Sequence, residues 1–123
     1  MQRDFQSPLA GAPTGEVFTP SRLNAIARGV LEDVLSVVWV EGEISNFLAH
    51  RSGHWYFTLK DASAQVRCAM FKSRSTGVRV LPRDGMQVLL RGRVTLYEAR
   101  GEYQLVAEHI EESGEGALRR AFD

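Results

Sequence analysis

Residues 53–61 read GHWYFTLKD, with Trp55, Tyr56 and Phe57 in direct succession. In a β-strand neighbouring side chains point to opposite faces, so these three rings cannot share one role. Trp55, Phe57 and Leu59 fall on one face; His54, Tyr56, Thr58 and Lys60 fall on the other. The next apolar stretch, AQVRCAMFK (64–72), divides the same way: Ala64, Val66, Cys68 and Met70 against Gln65, Arg67, Ala69 and Phe71. Burying Lys60 and Arg67 unpaired would cost several kcal/mol, so the apolar sets form the core. The opposite face then presents Tyr56 and Phe71 among His54, Thr58, Lys60, Gln65 and Arg67. Rings interleaved with bases and amides are what single-stranded nucleic acid requires: π-faces for the bases and positive charge for the backbone.

The flanking sequence extends this pattern. Residues 20–35 carry Leu23, Ile26, Ala27, Val30, Leu31, Val34 and Leu35 at helical spacing, with Thr19 as N-cap and Pro20 in the first helical position. Such a stripe predicts a helix laid on one end of a sheet. After Ser36 the period changes to two. VVWVEGEISNF (37–47) reads as a strand, and Gly42 within it predicts a bulge or bend. That leaves the faces of Trp39 and Phe47 open. MQVLLRGRVTLYEA (86–99) and EYQLVAEHIEE (102–112) read as a hairpin turning at Arg100–Gly101, and KSRSTGVRVLPRDG (72–85) as a basic loop. Residues 1–16, rich in Gly, Pro and Ala, read as a flexible leader. A helix followed by three strands, a connection and a hairpin predicts a mainly β domain over residues 17–112. Its expected fold is a five-stranded OB-fold barrel preceded by an amphipathic α-helix. A barrel of the SH3 type fits the same pattern.

Charge points the same way. The chain has 123 residues, with 15 basic and 15 acidic side chains; 13 of the bases are Arg. Arginine offers a planar fork for phosphate and a flat face for stacking. Between Ile44 and Arg100 ten bases stand against three acids, a local charge of 10 − 3 = +7. Within that segment Arg51 lies in the loop after the first strand and Arg100 in the last hairpin turn. Arg91 and Arg93 share one face of the fourth strand. All four join the candidate nucleic-acid contacts.

Other chemistries find little support. His50, His54 and His109 have no metal-ligand spacing with the single cysteine, Cys68, which reads as a core residue. Glu41, Glu43, Asp61 and Asp84 are scattered over strands and turns. No phosphate loop or nucleophile motif is present. The expectation is a binding module with no catalytic residue, no metal and no cofactor. The longest apolar run, LSVVWV (35–40), is far short of a membrane span, and no apolar signal-peptide core opens the chain. A cytoplasmic location with no membrane partner is expected.

The blocks FTPSRLN, VWVEGEISNF, SGHWYFTLKD, AQVRCAMF, DGMQVLLRGRVTLYEARGEYQL and GEGAL, in this order, resemble the N-terminal domain of exodeoxyribonuclease VII large subunits. The resemblance runs from about Phe18 to Asp123. It implies an OB-fold nucleic-acid-binding domain of a bacterial nuclease that degrades single-stranded DNA from both ends to oligonucleotides. It also implies a partner, the small subunit, engaged through regions absent here. On this resemblance residues 113–123 begin a linker or helix toward a catalytic domain outside the chain, and this stretch alone is expected to bind without cutting. Any magnesium requirement belongs to the whole enzyme and is not written in this stretch. Two alternatives fit the residues: an RNA- or tRNA-binding OB module, and a protein-assembly domain.

Overall fold

The computed structural model describes residues 14–114. Most of the expected leader and of the expected C-terminal linker lies outside the described residues. Helix α1 spans Pro20–Val34, with the Thr19 side chain accepting from the Arg22 amide and proline in the first turn. Strands β1 (Val38–Ala49), β2 (Trp55–Lys60) and β3 (Gln65–Met70) form a meander. One helical turn, α2 (Lys72–Ser75), breaks the segment read as a loop. Strands β4 (Gln87–Tyr97) and β5 (Glu102–Glu112) form the hairpin. The strands close in the order β1-β2-β3-β5-β4, all neighbours antiparallel except β3 and β5. This is the five-stranded barrel preceded by a helix that the pattern predicted.

The alternating residues of β2 fill the interior. Trp55, Phe57 and Leu59 are buried together with Cys68 and Met70 of β3, Val88, Leu90 and Val94 of β4, and Leu105, Ala107 and Ile110 of β5. Each large side chain removed from water adds roughly 1.5–3 kcal/mol of driving force. Asp61 fixes the β2–β3 turn. Its Oδ1 accepts from the amides of Ser63 (2.8 Å) and Ala64 (2.9 Å). Those two bonds hold its carboxyl below the usual carboxylate range.

Three expectations need correction. Gly42 is not a bulge: β1 pairs with β4 without a break from Val38 through Glu43. Glycine is needed there because a Cβ would stand 2.9 Å from Leu59 Cγ and 3.0 Å from the Lys60 carbonyl oxygen. The irregularity comes later, between Ser45 and Leu48, where Asn46 has a φ of 53°. Asp84 Oδ1 accepts from the Phe47 amide at 2.8 Å, and Phe47 turns toward Trp55, ring centroids 5.5 Å apart. Second, Ala69 lies on the outward side of β3 yet is buried. Third, α1 covers less than its stripe promised. Leu31 and Leu35 pack on the core, while Leu23, Ile26, Val30 and Val34 stay exposed.

The contacts of α1 position the far hairpin turn. Asn24 Nδ2 donates to the Glu98 carbonyl at 2.9 Å, and Arg28 pairs with both Glu32 (2.9 Å) and Glu98 (3.1 Å). The Thr95 hydroxyl donates to Glu32, which together with Arg28 holds that carboxyl low. Within the turn the amides of Arg100 and Gly101 donate to the Tyr97 carbonyl, and Gly101 takes a φ of 67°. Left-handed backbone at that point favours glycine.

Candidate nucleic-acid interface

The outward face of β2 and β3 is built in rows. Across the ladder Lys60 stands opposite Gln65, Thr58 opposite Arg67, and Tyr56 opposite Ala69. The last row continues through Val106 of β5 to Arg93 of β4. Tyr56 and Phe71 are 39% and 38% exposed; Tyr56 lies on the outward side of β2, while Phe71 stands just past the end of β3 as the N-cap of α2. The His50 ring meets Tyr56 edge-on at 6.4 Å, and His54 meets Phe71 at 5.4 Å. His54 also holds the local structure together. Its Nδ1 accepts from the Lys72 amide at 2.9 Å, tying the start of β2 to α2. Ser75 completes this tie by donating its hydroxyl to the Gly53 carbonyl at 2.8 Å. Arg51 is exposed in the turn that His50 and Ser52 stabilise.

Arg67 opens onto a groove of about 350 Å³ that it lines with Tyr97, Arg100, Glu102, Tyr103 and Gln104. Two guanidinium groups and two exposed phenols therefore share one concave surface. Tyr103 also lines a second cleft, with Lys60, Asp61 and Gln65. It links the groove to the far end of the β2–β3 face. Sequence alternation puts Tyr103 on the same side as the core residue Leu105. It is exposed because it sits at the start of β5, where the barrel ends.

The other two arginines separate. Arg91 pairs with Trp39 across β1 and β4 and stacks over its ring, 5.8 Å from Cζ to centroid. His109 meets the same ring edge-on at 6.1 Å. Arg93 lies 3.8 Å from Glu108, which offsets its charge. The register also sets Glu43 of β1 opposite Lys60. Of the residues singled out in the sequence, Arg67 and Arg100 meet in the groove, and Tyr56, Thr58, Lys60 and Gln65 lie on the adjoining face. Arg91 belongs to a different cluster. Among the described residues no group of three or more His, Cys, Asp or Glu side chains converges as a metal site would.

Known proteins resemble this chain in sequence and in fold. The family described as OB-fold nucleic acid binding domain matches residues 18–111. The chain is 63% identical over 108 residues to the exodeoxyribonuclease 7 large subunit of Xanthomonas oryzae pv. oryzae (strain PXO99A), covering 88% of this chain and 24% of that protein. It is 61% identical over 110 residues to that of Xanthomonas campestris pv. campestris (strain B100), covering 89% of this chain and 25% of that one. The chain thus spans about a quarter of the length of the curated relatives it matches. Among solved structures, a replication protein A heterotrimer bound to ssDNA superposes with a TM-score of 0.53 at 9% identity, over 69% of this chain and 63% of that one. The Entamoeba histolytica asparaginyl-tRNA synthetase superposes with 0.54 at 19% identity, over 64% and 21%. At such identities the likeness is one of fold. With the closed five-stranded barrel and a family match over most of its length, this chain belongs to the OB-fold nucleic acid binding domains, in a form similar to that carried by exodeoxyribonuclease 7 large subunits.

Proposed function

We propose that this domain binds single-stranded DNA across the outward face of β2 and β3 and into the adjoining groove. In the exodeoxyribonuclease it would hold the strand for a catalytic portion elsewhere in the subunit. The observation that carries this reading is the meeting of Arg67, Arg100, Tyr97 and Tyr103 in one groove. Guanidinium groups neutralise phosphates while phenol rings stack on bases, and neither contact requires a particular base. A processing nuclease needs that tolerance. The relatives' name, exodeoxyribonuclease, specifies DNA as the substrate of those proteins. The small subunit would engage polypeptide outside the matched stretch.

Fluorescence anisotropy with matched labelled DNA and RNA single strands tests the proposal. Binding of DNA that weakens in Arg67→Ala and Arg100→Ala is the expected result. Tighter binding of RNA would replace it with an RNA-binding reading. No saturable binding of either strand would leave the exposed face as an assembly surface.

A further inference from the structure

Helix α1 leaves most of its apolar stripe uncovered, and the stripe does not stop at the helix end. Val30 and Val34 are 57% and 70% exposed, Val37 is 67% exposed and Trp39 is 55% exposed. Val38 and Val40 turn inward onto the core, so Trp39 takes the outward side of β1, and Val37 lies just before that strand. Val34 ends the helix three residues before Val37. These exposed apolar side chains follow one another along the chain from the last turns of α1 to the first residues of β1. At the β1 end the Arg91 guanidinium lies over Trp39. Soluble surfaces seldom keep such a run of large apolar side chains free, and Trp and Arg are the residues that dominate protein interfaces.

Charge disfavours nucleic acid as the occupant. From Val30 to Glu41 the chain carries Glu32, Asp33 and Glu41 and no base. On the same helix Arg22 is tied to Glu16, and Arg28 to Glu32 and Glu98. A polyanion approaching this strip meets Glu32, Asp33 and Glu41, against which stand Arg91, already stacked on Trp39, and Arg28, already paired with Glu32 and Glu98. A second copy of the chain is disfavoured for the same reason, because a twofold contact sets an acidic rim against an acidic rim. A protein surface with an apolar groove edged by bases meets neither obstacle.

We infer that the strip formed by Val30, Val34, Val37 and Trp39 docks polypeptide of the same large subunit, the part that lies beyond the matched stretch in relatives about four times as long. Covalent connection raises the effective concentration of such a partner to the millimolar range, so a strip of modest size suffices.

The test is hydrogen exchange read over residues 23–34. One sample is this chain alone. The other is a chimera in which it replaces the matched stretch of the Xanthomonas oryzae relative. Exchange about tenfold slower or more in the chimera is expected, as docking suppresses local opening. The double substitution Val30→Asp/Val34→Asp should return the chimera to the free-chain rate, with the free chain's circular dichroism and DNA affinity unchanged. Equal rates in both samples overturn the inference. So does slowing that grows with the free chain's own concentration, or that needs only added single-stranded DNA. If the chimera does not fold, the same comparison between the unaltered relative and its isolated matched stretch decides between these outcomes.

Discussion

Tyr56 stands directly opposite Ala69 across the β2–β3 ladder. The methyl group is too small to cover the ring, which therefore keeps an open face on the barrel exterior. One residue earlier Trp55 pairs with Met70, and both are buried. The two aromatics thus part between ligand face and core.

Their substitutions should part as well. Tyr56→Ala is expected to weaken DNA binding by about 1–3 kcal/mol, the worth of one stacked base, with the urea midpoint nearly unchanged. Trp55→Ala should instead destabilise the fold by about 3–5 kcal/mol. If Tyr56→Ala unfolds the domain while Trp55→Ala leaves it intact, the two faces are inverted.

Salt dependence should report how many arginines reach phosphate. Arg91 is engaged by Trp39 and Arg93 lies near Glu108, which leaves Lys60, Arg67 and Arg100, with Arg51 in the neighbouring turn. Three to four neutralised phosphates give a slope of log affinity against log salt of roughly −2 to −3 for a single strand. A slope near zero would contradict the electrostatic part of the binding reading. Arg91→Ala should leave the slope unchanged.

Two glycines should respond to alanine with opposite sign. At Gly92 a Cβ would meet the Val106 carbonyl oxygen at 2.3 Å, so the β4–β5 pairing must move. Gly92→Ala is expected to cost more than about 2 kcal/mol in chemical denaturation. At Gly29 a Cβ meets nothing within 4 Å, and the residue lies inside α1. Gly29→Ala should stabilise by about 0.5–1 kcal/mol through helix propensity.

Cys68 should be inert until the barrel opens. Burial pushes its thiol up to about 12, against roughly 8.5 for an exposed thiol. A folded value above the unfolded one contributes stability that is complete below the unfolded value. It is lost as pH rises through that value toward the folded one. Denaturant midpoints should therefore fall from about pH 8.5 upward, less so in Cys68→Ala. At pH 8 a thiol reagent should label Cys68 only in denaturant. Rapid labelling of the native domain would show that the core is open there.

The sequence by itself determined the element order, the Thr19 cap and the two faces of β2. Periodicity and capping are local properties, written in residues a few positions apart. The register at Gly42 was not legible, because a glycine within a strand signals either a bulge or a close approach. Only the position of Leu59 and Lys60 across the barrel decides which. Phe47 packs on the core, with its amide held by Asp84, 37 residues away. The candidate site divides in the same manner. Alternation along β2 and β3 was enough to put Tyr56, Thr58, Lys60, Gln65 and Arg67 on one surface. The meeting of Arg67 with Tyr97, Arg100 and Tyr103 was not legible, and neither was the diversion of Arg91 to Trp39. Both depend on which strands become neighbours when the barrel closes, and on the register in which they pair. Those are long-range choices made by packing the whole core, so no window of the sequence contains them.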